Sequence, residues 1–374
     1  MNTLPPAEPT VFCDFNAGGP ASEEVLATFL EIERSCPGNP ASVHATGRRA
    51  RRVLEEARAR IGAALGVVAA DVVFTSGGTE AANLAVLGLG DPRLPVLMGN
   101  TEHPAAWEPG LVRGMQIWSV DADGVAMVRA PELPVGLVSL VHAQSELGTL
   151  QPVLAATSLA DRLGVPCFVD AAQTLGRVPL GPLFATSAIV ALSPHKAGGL
   201  RGHGVLLGRD LHRRLRPLLR GGGQEFGLRP GTQSPALAMA NAVAIERAVH
   251  EQPVRSAHMH RARAAFLDGL RDAVEHRVLT PLANSVPNTV MLHFAHVDGR
   301  NLLPALDLAG VSASHGSACS SGAPTPPRVL EAIGIEAIEA RACVRFSFGW
   351  CSDDASMRHV GARTGSVLQR LQKK

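Results

Sequence analysis

Through the first two thirds of the chain, short apolar runs alternate with longer stretches whose apolar positions recur every three or four residues. The runs at 71–75, 137–141, 166–170 and 189–192 are too short for helices and are apolar on both faces, which predicts strands buried in a largely parallel sheet. Between them, 48–65 gathers Val53, Leu54, Ala57, Ile61 and Leu65 on one face and arginine and glutamate on the other, the pattern of an amphipathic helix. Arg48, Arg49, Arg51 and Arg52 form its wet face. Helical periodicity continues over 235–250 and 256–274, interrupted at Glu251-Gln252-Pro253, and a strand-like run follows at 288–294. A domain change is expected near 250–256, giving a large α/β domain over 15–254 and a smaller one made of 1–14 and 255–374. The proline-rich opening is expected to be disordered.

Composition narrows the function classes. Of 374 residues, 46% are hydrophobic and 18% charged, and the net charge is only +2, so nothing favours nucleic acid or an anionic membrane as partner. No stretch reaches the roughly 18 apolar residues of a membrane span, and the opening lacks the features of a signal peptide, so a cytoplasmic, soluble protein is expected. The six cysteines show no CxxC or Cys/His spacing, which argues against a disulfide framework or a metal site.

The basic residues carry the sharpest compositional signal. Only Lys196, Lys373 and Lys374 among the 35 basic side chains are lysines. A chain that uses arginine nearly everywhere yet keeps one internal lysine has a position where a neutral amine is needed, as in imine formation.

Four segments could carry chemistry. Val72 to Glu80 runs from an apolar strand through Gly77-Gly78-Thr79 into a helical pattern, which makes an anion site of a helix N-terminus. A buried strand ends in Asp170, at the edge where such sheets hold ligands. A third strand leads into Ser193-Pro194-His195-Lys196 and a glycine turn. An imine-forming lysine, an aspartate for a pyridinium nitrogen and a phosphate cup are together what pyridoxal phosphate requires. The fourth segment, 312–324, consists almost wholly of small and turn-forming residues around Cys319, which marks that thiol as a nucleophile. Cys13, Cys167 and Cys343 read as buried small hydrophobes, while Cys36 and Cys351 stay undecided.

With these motifs the chain resembles the NifS/IscS-like cysteine desulfurases, of the class V aminotransferase group of fold-type I pyridoxal-phosphate enzymes. The matching segments are GNPAS at 38–42, VFTSGGTEAANLA at 73–85, TEHPA at 101–105, VDAAQTLG at 169–176, SPHKAGGLRGHGVL at 193–206, GGGQEFGLRPGT at 221–232, GSACSSG at 316–322 and RFSFG at 345–349. The resemblance implies a large domain with a mainly parallel seven-stranded sheet and a smaller α+β domain. It implies that pyridoxal 5'-phosphate attaches to Lys196, with Asp170 on the pyridine nitrogen, Gln173 on the ring hydroxyl and His103 stacked on the ring and moving protons. Gly78, Thr79, Ser193 and His195 would hold the phosphate, and Thr232 would reach the phosphate of a neighbouring copy in a homodimer. Arg345 would take the carboxylate of L-cysteine, with Asn39 and Ser145 at that end of the pocket; Ser145 stands where the family usually has asparagine. Phe226 and Pro230 likewise replace a usual arginine and serine.

The implied reaction converts L-cysteine to L-alanine and leaves a persulfide on Cys319, from which sulfur passes to an acceptor protein such as an iron-sulfur scaffold or a tRNA-thiolation relay. Two alternatives are a selenocysteine lyase or other β-eliminating enzyme, and a non-catalytic pyridoxal-phosphate-binding scaffold in sulfur transfer.

Overall fold

The computed structural model describes residues 10–316 and 327–372. The twelve strands among the described residues are β1 (Val11–Phe12), β2 (Val72–Thr75), β3 (Val96–Gly99), β4 (Met115–Trp118), β5 (Leu137–Val141), β6 (Cys167–Asp170), β7 (Ile189–Leu192), β8 (Gly204–Leu207), β9 (Arg277–Val278), β10 (Thr289–His293), β11 (Val311–Ser312) and β12 (Cys343–Ser347). Seven of them form one sheet in the order β2-β8-β7-β6-β5-β3-β4, in which only β8 runs against its neighbours. The proline-rich opening falls almost wholly outside the described residues.

Both faces of the sheet are covered, which is why its strands read as continuous apolar runs. Alternate residues face opposite sides: Val169, Val190 and Leu192 pack with Leu54 and Ile61 of the helix Ala45–Leu65. Phe168, Ile189 and Ala191 pack instead with Ala81, Ala82 and Ala85 of the helix Gly78–Gly88. A second apolar core surrounds the antiparallel sheet β12-β10-β9, where Phe346 meets Phe266 of the helix Gln252–Leu270. Cys13 joins this core, and β1 pairs with β11, so the N-terminal segment is stitched to the C-terminal part.

The helix expected to begin at 256 begins at Gln252 and ends at Leu270. Pro253 sits in its first turn, where a missing N–H costs nothing, so the proline starts this helix instead of separating it from its predecessor.

The parallel strands β2, β3, β5, β6 and β7 present their C-terminal ends along one edge. Val141 at the end of β5 faces Asp170, and Asp170 faces Ala191 of β7. Loops that leave this edge therefore converge on one place, and β12 brings Arg345 to it from the smaller sheet.

Candidate active site

A cavity of about 190 Å³ opens at this edge. Its wall includes Gly78, Thr79, His103, Ser145, Asp170, Gln173, Ser193, His195, Lys196 and Arg345. Ten residues named from sequence are thus assembled from segments up to 267 positions apart. Asn39 and Thr232 are exposed and do not line it. Cys319 lies outside the described residues, while Gly316, three positions before it, is part of the wall.

Lys196 stands in the short turn Pro194–Lys196 that follows β7. Burial pushes its ammonium down to about 8, Asp170 and Glu146 oppose this, and Arg177 and Arg345 reinforce it. About a tenth of the amine is therefore unprotonated at pH 7, against well under a thousandth for an ordinary lysine. Asp170 is buried and its Oδ1 accepts the Ala172 N–H at 2.9 Å, which fixes the carboxylate at the strand end.

His103 caps the helix Pro104–Arg113, its Nδ1 accepting the Ala105 N–H at 3.1 Å. Burial and the nearby Lys196 push its pKa down, so the ring is neutral at pH 7 and carries its proton on Nε2. Burial also holds His195 down, to about 4, again with help from Lys196.

The far end of the cavity is shaped for an anion. The helix Gly78–Gly88 has no side-chain cap on its first amides, and a Cβ on Gly78 would fall 2.4 Å from Ser193 Oγ. Glycine is thus required for the hydroxyl to approach the helix start, where uncapped N–H groups and the helix dipole favour a phosphate. With Thr79 and His195 beside it, this cradle fits the phosphate of pyridoxal phosphate. Lys196 and Asp170, in the same wall, would supply the amine and carboxylate that its ring needs.

Arg345, also in the wall, is buried. One terminal nitrogen donates to the Ser145 carbonyl at 3.0 Å, the other pairs with Asp14, and its Nε–H has no partner. A buried unpaired donor is costly, and a carboxylate ligand would satisfy it.

Several contributors were not singled out from sequence. Asn16 lines the cavity and ties its walls: its Nδ2 donates to Ser145 O and Thr289 Oγ1, and its carbonyl accepts from Gln173 Nε2. Arg177 holds Asn16 and Gln173 from behind. Glu102, next to His103, is buried and accepts the Val141 N–H at 2.7 Å. The run Asn16-Ala17-Gly18-Gly19 after β1 carried the available signal for the first, since small residues after a strand mark a loop that something approaches closely. Arg177 and Glu102 had no local signal, because their partners come from distant segments.

The buried thiols meet the sequence reading. Cys13 and Cys167 are pushed up to about 12 by burial and Cys343 likewise, which keeps all three protonated and inert. No helix among the described residues is long and apolar enough to cross a membrane.

Comparison with known proteins gives the family. The cysteine desulfurase IscS of Dictyoglomus turgidum is 31% identical, the match covering 96% of this chain and 94% of that protein. A solved structure described as a NifS-like protein superposes with a TM-score of 0.85 at 28% identity, covering 97% of this chain and 100% of that one. The structure of SspA in complex with cysteine gives a TM-score of 0.77 at 26% identity, over 91% of this chain and 99% of that one. The model of aminotransferase class V matches residues 11–358, so the chain belongs to the class V aminotransferase family, whose members use pyridoxal phosphate.

Proposed function

We propose that this chain is a cysteine desulfurase that converts L-cysteine to L-alanine and keeps the sulfur as a persulfide on Cys319. The observation that carries the reading is the convergence of Lys196, Asp170, His103 and Arg345 on one cavity with a glycine-built anion cradle at its far end. Pyridoxal phosphate, when bound, supplies an electron sink for the negative charge that develops next to the substrate nitrogen.

The chain's own residues do the rest. Arg345 fixes the substrate carboxylate through its free Nε–H, and Asp14 and the Ser145 carbonyl keep the guanidinium from turning. Lys196 is held partly neutral, so it can accept a proton from carbon and return it. His103 offers a second site for a proton at Nε2, because Nδ1 is committed to Ala105. Asp170, fixed at the strand end by the Ala172 N–H, would take the pyridinium proton of the cofactor.

In the net step the substrate C–S bond breaks and an S–S bond forms to Cys319. The substrate's thiol proton ends on the new methyl group, so carbon is reduced as sulfur is oxidised and no outside reductant is used. Gly316 on the cavity wall supports the choice of Cys319, as does the inertness of the buried thiols. The reading extends to a cytoplasmic homodimer that hands sulfur to an acceptor protein. Thr232, exposed and away from its own chain's cavity, is placed in that reading at a neighbouring copy's phosphate.

The test is alanine release from L-cysteine by the protein loaded with pyridoxal phosphate, beside Cys319→Ser. The expected result is one alanine per sulfur in the native protein, and in the variant retained cofactor absorbance without persulfide. Full desulfurase activity in Cys319→Ser would overturn the role of that thiol. Absence of alanine from a loaded native protein would overturn the desulfurase reading itself.

A further inference from the structure

Arg177 is almost fully buried, yet every hydrogen bond described for it goes to a neutral oxygen. Arg58, Arg255 and Arg345, similarly buried, each face a carboxylate, from Glu225, Glu251 and Asp14 respectively, while Arg263, away from the cavity, resembles Arg177 in having neutral partners and ties Ser285, Val286 and Thr289 together. Arg177 instead donates to Asn16 Oδ1 at 2.9 Å, to the Gln173 carbonyl and side-chain oxygen, and to Phe15 O at 3.2 Å. A buried guanidinium without a carboxylate is unfavourable unless its charge or its fork of donors serves something else.

Two features of the surroundings say what it serves. The Gln173 amide lies in the cavity wall, and its Nε2 donates one hydrogen to Asn16 O at 3.0 Å, leaving the second uncommitted. An amide can be turned either way unless a neighbour decides, and a guanidinium, which only donates, admits only the oxygen on its side. Arg177 also shares a small internal cavity with Lys196, between Phe15 and Trp350.

We propose that Arg177 is a positioning residue of this site: it locks the Gln173 amide with its N–H toward the cavity and places an unneutralised positive charge close to Lys196. This rests on the reading of the cavity as a cofactor site in its first half only. The second half concerns Lys196 in the empty protein. The other charged or titratable groups around that amine are Asp170 at the end of β6, Glu146 after β5, Arg345 on β12, His103 at its helix start and His195 beside it. Asp170 and Glu146 favour the charged amine; Arg177 and Arg345 oppose it.

The experiment exploits the scarcity of lysine. In cofactor-free protein the rate of Lys196 acetylation by acetic anhydride is followed against pH by peptide mass spectrometry, with Lys373 and Lys374 as internal references. Arg177→Met is expected to move the midpoint of Lys196 upward by about one pH unit, which slows its acetylation at neutral pH about tenfold. Arg177→Lys, which keeps the charge but not the fork, is expected to leave the midpoint in place. After loading with pyridoxal phosphate, the same Lys variant is expected to shift the pH at which the cofactor's visible band changes, because the amide is no longer locked. An unchanged midpoint in a cooperatively folding Arg177→Met would overturn the electrostatic half. Should that variant not fold, an upward midpoint in Arg177→Lys would overturn it instead. An unaltered band titration in Arg177→Lys would overturn the orienting half. Failure of the native protein to bind pyridoxal phosphate would strike the cofactor reading and the orienting half, and leave the acetylation result standing.

Discussion

The Arg345 guanidinium is held by the main-chain carbonyl of Ser145, at 3.0 Å, and not by that residue's side chain. The same carbonyl accepts Asn16 Nδ2 at 3.0 Å, so the backbone of residue 145 is pinned from two directions. Serine at 145 in place of asparagine therefore removes no hydrogen bond from Arg345, the residue proposed to take the substrate carboxylate.

Two substitutions separate clamp from side chain. Arg345→Lys keeps the charge but loses the fork, and charge-assisted hydrogen bonds lost at a buried site correspond to about a 10- to 100-fold rise in KM for L-cysteine. Ser145→Asn is expected to change KM by no more than about threefold, because it removes no hydrogen bond to Arg345. Steady-state alanine formation measures both. An equal loss in the two variants would show that the side chain, and not the carbonyl, anchors the arginine.

Lys196 makes the cofactor-free protein's stability depend on pH. Its folded value of about 8 lies below the ordinary 10.5, with burial the first cause. Between those values the unfolded chain binds a proton that the folded chain does not, so stability rises as pH climbs through this window. Below pH 8 the cost of a buried ammonium is fully present. Lys196→Met is accordingly expected to stabilise the cofactor-free protein at pH 7 by about 2–3 kcal/mol, a gain that fades toward pH 10.5. Urea unfolding at pH 7 and pH 10 checks it, and a gain of equal size at both would refute the assignment.

Glu102 works in the opposite direction. Burial, then the field of Asp170, pushes its carboxyl up to about 8 against the favourable Val141 amide and Arg328. The folded chain keeps a proton that the unfolded chain has released between pH 4.5 and 8, so stability falls as pH rises through that range. Glu102→Gln retains an acceptor for the Val141 N–H and has no proton to lose. Its melting temperature should match the native protein's near pH 4, exceed it increasingly up to pH 8, and level off above. A variant less stable than native at pH 8 would mean that the carboxylate is charged and needed.

The strands β5 and β7 have the bounds their apolar runs predicted, because strands covered on both faces interrupt every polar pattern at their ends. Lys196 and Asp170 were legible for a different reason: each lies just after or at the end of such a run, and chemistry restricts which residue types serve there. What the pattern could not convey was support from distant segments. Asn16 bonds across 129 positions to Ser145 and across 273 to Thr289, and no local period encodes such partners. The clamp on Arg345 escaped for the same reason, since Asp14 precedes it by 331 positions.

Gly78 and Ser193 form the last testable pair. A methyl group on Gly78 would stand 2.4 Å from Ser193 Oγ, closer than nonbonded atoms approach, so the hydroxyl would have to turn away from the helix start. The backbone of Gly78 is the first residue of a regular helix and accepts alanine without strain, which confines the effect to the cradle. Gly78→Ala is therefore expected to weaken retention of pyridoxal phosphate about tenfold, the worth of one hydrogen bond to a charged group. Equilibrium dialysis followed by absorbance measures it, and the cofactor-free protein should unfold as the native one does. Ser193→Ala should cost a similar amount. In the double variant the methyl group meets no hydroxyl, so the loss should be no greater than in Ser193→Ala alone. Additive losses would mean that the two residues hold the cofactor independently and that the cradle does not depend on their contact.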